Sequence, residues 1–157
     1  MTTELVRSVL LGAAAGAAGT TALNVTTYAD MAWRGRPASS TPEDTVDKLA
    51  EKAHTRVPGD GETRDNRRSA LGALSGLVTG VAVGAAYGLA RGLGVRPSVP
   101  VGALLAASAA LLGSNGPMTV LGITDPRTWG AADWVSDIVP HVAYGAVTAA
   151  TVAAGER

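Results

Sequence analysis

Charged and uncharged residues are sharply separated along this chain. Four stretches nearly free of charge can be drawn: Ser8 to Ala29 between Arg7 and Asp30, Ser69 to Ala90 between Arg68 and Arg91, Pro97 to Thr124 between Arg96 and Asp125, and Ile138 to Gly155 between Asp137 and Glu156. An α-helix rises about 1.5 Å per residue, so roughly 20 apolar residues cross the hydrocarbon core of a bilayer. The pattern predicts an all-α fold, a polytopic membrane helical bundle of about four transmembrane helices. They fall at about 8–29, 69–90, 98–116 and 134–154, in a single membrane domain over 1–157.

The polar loop 30–68 holds eight basic and eight acidic side chains. Within it Thr41, Pro42, Glu43 and Asp44 have the order of an N-cap, a proline at the first helical position and acids in the first turn. A short amphipathic helix to about Ala53 follows, with Val46, Leu49, Ala50 and Ala53 on one face. Pro58, Gly59, Asp60 and Gly61 then form a turn before the basic cluster Arg64, Arg67 and Arg68. This region is either a solvated connector or a surface for a partner or lipid headgroups.

Two of the apolar stretches are irregular. Gly12, Gly16, Gly19, Thr20, Thr21, Asn24, Thr26 and Thr27 leave the first barely hydrophobic. A cleaved signal peptide is its rival reading, from Arg7, the apolar run Val9 to Leu11 and the small residues Ala13 to Ala18, although the uncharged stretch continues past any such cleavage site. The third stretch carries Asn115, Gly116 and Pro117, which predict a kink or stop near Ser114 and a non-helical exit toward Asp125.

Six glycines, Gly72, Gly76, Gly80, Gly84, Gly88 and Gly92, stand at a strict spacing of four. Small residues at this spacing let membrane helices approach closely, where packing replaces the hydrophobic drive that lipid removes. A spacing of four drifts by about 40° per step around a 3.6-residue turn, so the ladder winds and can touch more than one neighbour. Gly12 and Gly16 offer a matching surface on the first helix. Both packing within one chain and self-association into a homo-oligomer are open to such a ladder.

Composition alters this picture little. The net charge is zero, hydrophobic residues make up 46% and charged residues 17%, and Phe and Cys are absent. Cysteine chemistry is thereby excluded, disulfides and thiolate metal sites included. The Lys and Arg residues divide nine to four between the side of the long loop and the side of the two termini, which places the long loop in the cytoplasm and the protein in the cell membrane as a multi-pass chain. Tyr28, Trp33, Trp129 and Trp134 all fall at helix ends on the long-loop side, as interface anchors do.

Asp133, Asp137 and His141 stand at i, i+4 and i+8, one face of a helix if the last helix already runs there. Two carboxylates and an imidazole can take up a proton or a divalent metal. They can equally be Asp133 as N-cap, Asp137 favoured by the helix dipole and His141 at headgroup depth, with Pro140 in the early turns. Three residues on one helix do not fill a metal shell, so no metal and no cofactor are assigned. Asn24 and Asn115 join them as candidate members of a proton or ion site within the membrane. No GxSxG, Walker A, HExxH or dinucleotide fingerprint occurs, and no basic surface with interleaved aromatics points to nucleic acid.

The run Ala22, Leu23, Asn24, Tyr28, Asp30, Met31 and Arg36 to Glu43, with Thr124 to Trp129, Asp133, Trp134, Pro140, His141, Tyr144 and Gly145, resembles uncharacterised small membrane proteins of high-GC Gram-positive bacteria. It is more distantly similar to the YagU-like inner-membrane proteins. The resemblance implies location and topology and supplies no reaction. The sequence thus points first to a non-enzymatic membrane protein that packs with itself or a larger membrane partner through the glycines. A homo-oligomeric channel or proton-linked transporter using Asp137 and His141 comes second, and a membrane-embedded metal-dependent enzyme third.

Overall fold

The computed structural model describes residues 2–157. Five α-helices follow one another: α1, Thr2–Arg34; α2, Thr41–Lys52; α3, Gly61–Gly92; α4, Val99–Val120; and α5, Ala131–Gly155, with a single 3₁₀ turn at Pro126–Thr128 before the last. There is no strand among the described residues. All but α2 are long and apolar enough to cross a membrane, the architecture of a multi-pass membrane protein with both ends of the chain on one face of the bundle.

Helix length exceeds the span predicted from charge. The 33 residues of α1 extend about 50 Å and the 32 of α3 about 48 Å, against roughly 30 Å of hydrocarbon. Charges bound the apolar span but do not stop a helix, because Arg, Asp and Glu all accept helical backbone geometry. So α3 begins at Gly61, and Arg64, Arg67 and Arg68 are helical. Their side chains meet α2: Arg64 donates to Asp47 at 2.7 Å, and Arg68 lies 2.8 Å from the other oxygen of the same carboxylate. Pro42 of α2 rests on Gly72, where an added Cβ would stand 3.0 Å from the proline ring. The loop helix is thereby fixed against the emergent end of α3.

Several helix ends differ from expectation. Ser40 is the N-cap of α2, with Thr41 as its first residue. At α5 the N-cap is Gly130, and Asp133 sits three residues on, where its carboxylate accepts from the Gly130 N–H at 3.0 Å. The carboxylate thus reaches back to the cap position instead of occupying it. Pro140 lies in the interior of α5, not in its early turns.

The predicted stop near Ser114 does not occur. Helix α4 continues through Asn115, Gly116 and Pro117 to Val120. A proline ring crowds the carbonyl four residues earlier and withdraws the donor that would satisfy it. Here that residue is Gly113, whose lack of a side chain leaves the backbone freer to adjust. At the C-cap the Leu121 N–H donates to Pro117 O at 2.9 Å.

In the bundle α1 packs on α3 and α5, and α4 packs on α5 and more sparsely on α3. The centre is small: Tyr144, Ala106 and Ala110 are buried, with Leu23 and Val83 against them.

Candidate functional site

Close backbone approach organises the bundle around its polar groups. A Cβ on Gly12 would stand 2.8 Å from Gly88 Cα, and one on Gly16 would stand 3.0 Å from Gly84 Cα. Real side chains do not tolerate such distances, so α1 and α3 touch backbone to backbone. Gly80 faces the Thr20 hydroxyl, which itself bonds Gly16 O at 2.8 Å, and Gly92 faces Leu5 and Ser8. Gly72 faces α2, whereas the Cβ position of Gly76 is open among the described residues. A second close approach, which the ladder gave no hint of, joins α5 to α4: a Cβ on Gly145 would lie 2.8 Å from the Ala107 side chain.

Three of the polar residues singled out from sequence come together where α4 meets α5. The Asn115 amide donates to the Asp137 carboxylate at 2.7 Å. The His141 ring stands one turn further along α5, with Nδ1 at 2.7 Å from Asp137 O and 3.6 Å from Asp137 Oδ1. Its Nε2 lies 3.2 Å from the Ser114 hydroxyl. Ser114 was missed as a member of this group. The available signal was its place beside Asn115 on a helix otherwise apolar at that level.

Elementary hydrogen-bond chemistry fixes the ring's proton. A backbone carbonyl can only accept, so Nδ1 carries the hydrogen and Nε2 of the neutral ring is left as the base. Ser114 is suited to either state. It can donate its hydroxyl proton to the bare Nε2, or turn that proton to Ala110 O at 3.0 Å and accept from a protonated Nε2. Ser114 thus offers a satisfied arrangement to the ring in either state, with Asp137 Oδ1 3.6 Å from Nδ1.

His141 is the eleventh of the 25 residues of α5, close to its midpoint, and only 8% exposed. It lies in the interior of the bundle, between α4 and α5. The other two candidates stand apart: Asp133 is engaged at the cap of α5, and Asn24 is half-buried on α1 with no side-chain hydrogen bond among the described residues. No group of three His, Asp or Glu side chains able to hold a metal ion forms among the described residues. Asp125 is drawn into a turn with Arg127, whose guanidinium holds its carboxyl below the ordinary aspartate value.

Beyond His141 the interior face of α5 continues with Tyr144 and Thr148, both fully buried. The Tyr144 hydroxyl donates to Gly80 O at 2.6 Å, and Thr148 donates to Ala15 O at 3.4 Å. At the far end the buried Arg91 is held by Glu156, by Pro97 O at 3.3 Å and by the face of Tyr87. On the loop side, Arg34 bonds Asp30 and Ser136 and so ties the end of α1 to the start of α5. Around these, Trp129 and Trp134 meet edge to face at 5.0 Å, while Tyr28 and Trp33 are exposed, Trp33 to 91%. Comparison with protein-family models, curated proteins and solved structures finds no match to this chain.

Proposed function

We propose that this is a non-enzymatic, multi-pass protein of the cell membrane that takes up a proton at His141 and Asp137 and couples it to the passage of an ion or solute. The observation that supports this reading is the pairing of a buried imidazole with both an acceptor and a donor able to serve its two protonation states. An ionisable group inside a membrane bundle is costly and marks a functional site. Asn115 holds the carboxylate in place, so the pair does not depend on water for its geometry. The long loop, with α2, faces the cytoplasm on the Lys and Arg distribution.

The test is proton flux into proteoliposomes under an imposed pH gradient, followed with an internal pH-sensitive dye. Native protein should carry protons, and His141→Ala and Asp137→Asn should each abolish the flux. Equal traces from native protein, both variants and empty vesicles would rule the reading out.

A second reading, association with another copy or another membrane protein, is favoured by Gly76 and Gly116, whose Cβ positions are open. The native mass after release from a nanodisc tests it. A monomer free of other proteins would remove it.

A further inference from the structure

Close packing of the four spanning helices stops partway along the bundle. No residue of α1 beyond Thr20, of α4 beyond Ala110 or of α5 before Pro140 is buried among the described residues. On α3 before Gly80 only Gly72 is buried, and Pro42 of α2 covers it. Residues 73–78 of α3 are all exposed. A helical turn takes 3.6 residues, so α3 is bare on every side here, although this length lies within the apolar stretch Ser69 to Ala90. Arg34 with Ser136, and Asn115 with Asp137, hold α1, α5 and α4 together at the same end, so α3 is the helix that stands off.

The terminal half is closed. Tyr144 and Thr148 are fully buried, and a Cβ on Gly19 would stand 2.9 Å from the Tyr144 ring. Gly16 against Gly84, and Gly145 against Ala107, bring α3 and α4 onto the same stack. His141 stands at the boundary, with this stack on its terminal side. One turn toward the loop is Asp137, whose side chain is 19% exposed.

The polar groups at this level decide between lipid and water as the filling of the open half. Thr20 lies opposite Gly80 in the antiparallel pair, which sets Asn24 one turn nearer the loop, opposite the open Gly76. The Asn24 amide has no side-chain hydrogen bond among the described residues. The Asp137 carboxyl receives the Asn115 amide and keeps further acceptor positions open. Hydrocarbon offers neither group a partner, whereas water satisfies both. Building on the proton site proposed above, we infer that the loop-side half of the bundle is a water-filled vestibule. It opens His141 and Asp137 to the loop side alone, and the Tyr144 and Thr148 stack seals them from the other face.

The native chain contains no Cys, so single cysteines report on water access without background. Ser75→Cys, Ser114→Cys and Thr148→Cys each replace a hydroxyl by a thiol, and each is first checked for native helical content. They are treated with a charged, membrane-impermeant methanethiosulfonate in right-side-out and in inside-out vesicles, since the reacting thiolate forms where water reaches it. Thr55→Cys and Val95→Cys, in the connections at the two ends of α3, mark the two sides. Ser75→Cys and Ser114→Cys should be labelled only in the vesicles that label Thr55→Cys, and Thr148→Cys in neither. The assignment fails if Ser75→Cys or Ser114→Cys stays unlabelled in both, as lipid or a second protein filling the gap would require. It fails equally if either is labelled alongside Val95→Cys. Sided labelling of a protein that carries no protons would leave the vestibule standing and remove the proton-coupled function. Proton flux with unlabelled cysteines would do the reverse.

Discussion

Gly16 and Gly84 each occupy the space a side chain on the other would need: a Cβ on Gly84 would stand 2.5 Å from Gly16 Cα, and one on Gly16 would stand 3.0 Å from Gly84 Cα. This reciprocal contact, repeated by Gly12 and Gly88, lets α1 lie on α3 without intervening side chains. Dispersion contacts between backbones and small side chains supply cohesion that the hydrophobic effect cannot supply in lipid.

The ladder's members should therefore differ when substituted. Gly84→Ala drives a methyl into backbone that cannot rotate away, and should destabilise the bundle by about 1–3 kcal/mol or more. Gly76→Ala meets nothing and should be neutral or slightly stabilising, since alanine favours helix over glycine by up to about 1 kcal/mol. Reversible unfolding of the purified protein by denaturing detergent, with helix content as the readout, measures both. Equal losses at the two positions would show that spacing, not contact, governs them.

Tyr144→Phe removes the hydroxyl that donates to Gly80 O but leaves the ring, which fills the centre of the bundle. Hydrogen bonds between membrane helices average about 0.6 kcal/mol, and the same unfolding measurement should show a loss of that size. Tyr144→Ala also empties the centre and should cost several times more, about 3–5 kcal/mol.

The Asn115 and Asp137 pair should behave non-additively. Asn115→Leu leaves a partly buried carboxyl without its donor, whereas Asn115→Leu with Asp137→Leu removes both polar groups. The double variant should be no less stable than Asn115→Leu alone. A double-mutant cycle on unfolding free energies checks it, and simple additivity of the two losses would mean that the bond carries no coupling.

Much of this architecture is legible in the charge pattern, because charges exclude themselves from lipid and so mark where each apolar span ends. They do not mark where the helix ends, which is why α1 and α3 run on through Arg34 and back to Gly61. Pro117 misleads for a related reason. Its ring forfeits one backbone hydrogen bond and crowds the carbonyl four residues back, a local cost that the freer backbone of Gly113 eases and that α4 bears in its last turns. At the polar site, Asp137, His141 and Asn115 are visible as ionisable or amide groups in apolar surroundings. Their junction depends on how α4 and α5 are rotated about their axes. Gly145 against Ala107 sets that contact, and one glycine in a chain containing 20 carries no visible signal.

The pairing of Glu156 with Arg91 gives the terminal side of the bundle a pH dependence of predictable sign. The guanidinium holds the Glu156 carboxyl below the ordinary glutamate value near 4.5, so folding favours the ionised form. The stabilisation is complete above that ordinary value, where the carboxyl is charged both folded and unfolded. As pH falls below it, the unfolded chain takes up a proton first, and the contribution is lost progressively until the folded carboxyl is protonated too. The partly exposed position of Glu156 lets salt screen this contribution, so added salt should shrink it. Detergent unfolding of native protein and of Glu156→Gln between pH 6 and about pH 3 should give curves that differ above the ordinary glutamate value and converge toward the acid end. Parallel curves over the whole range would place the pair in water too fully for it to hold α3 to α5.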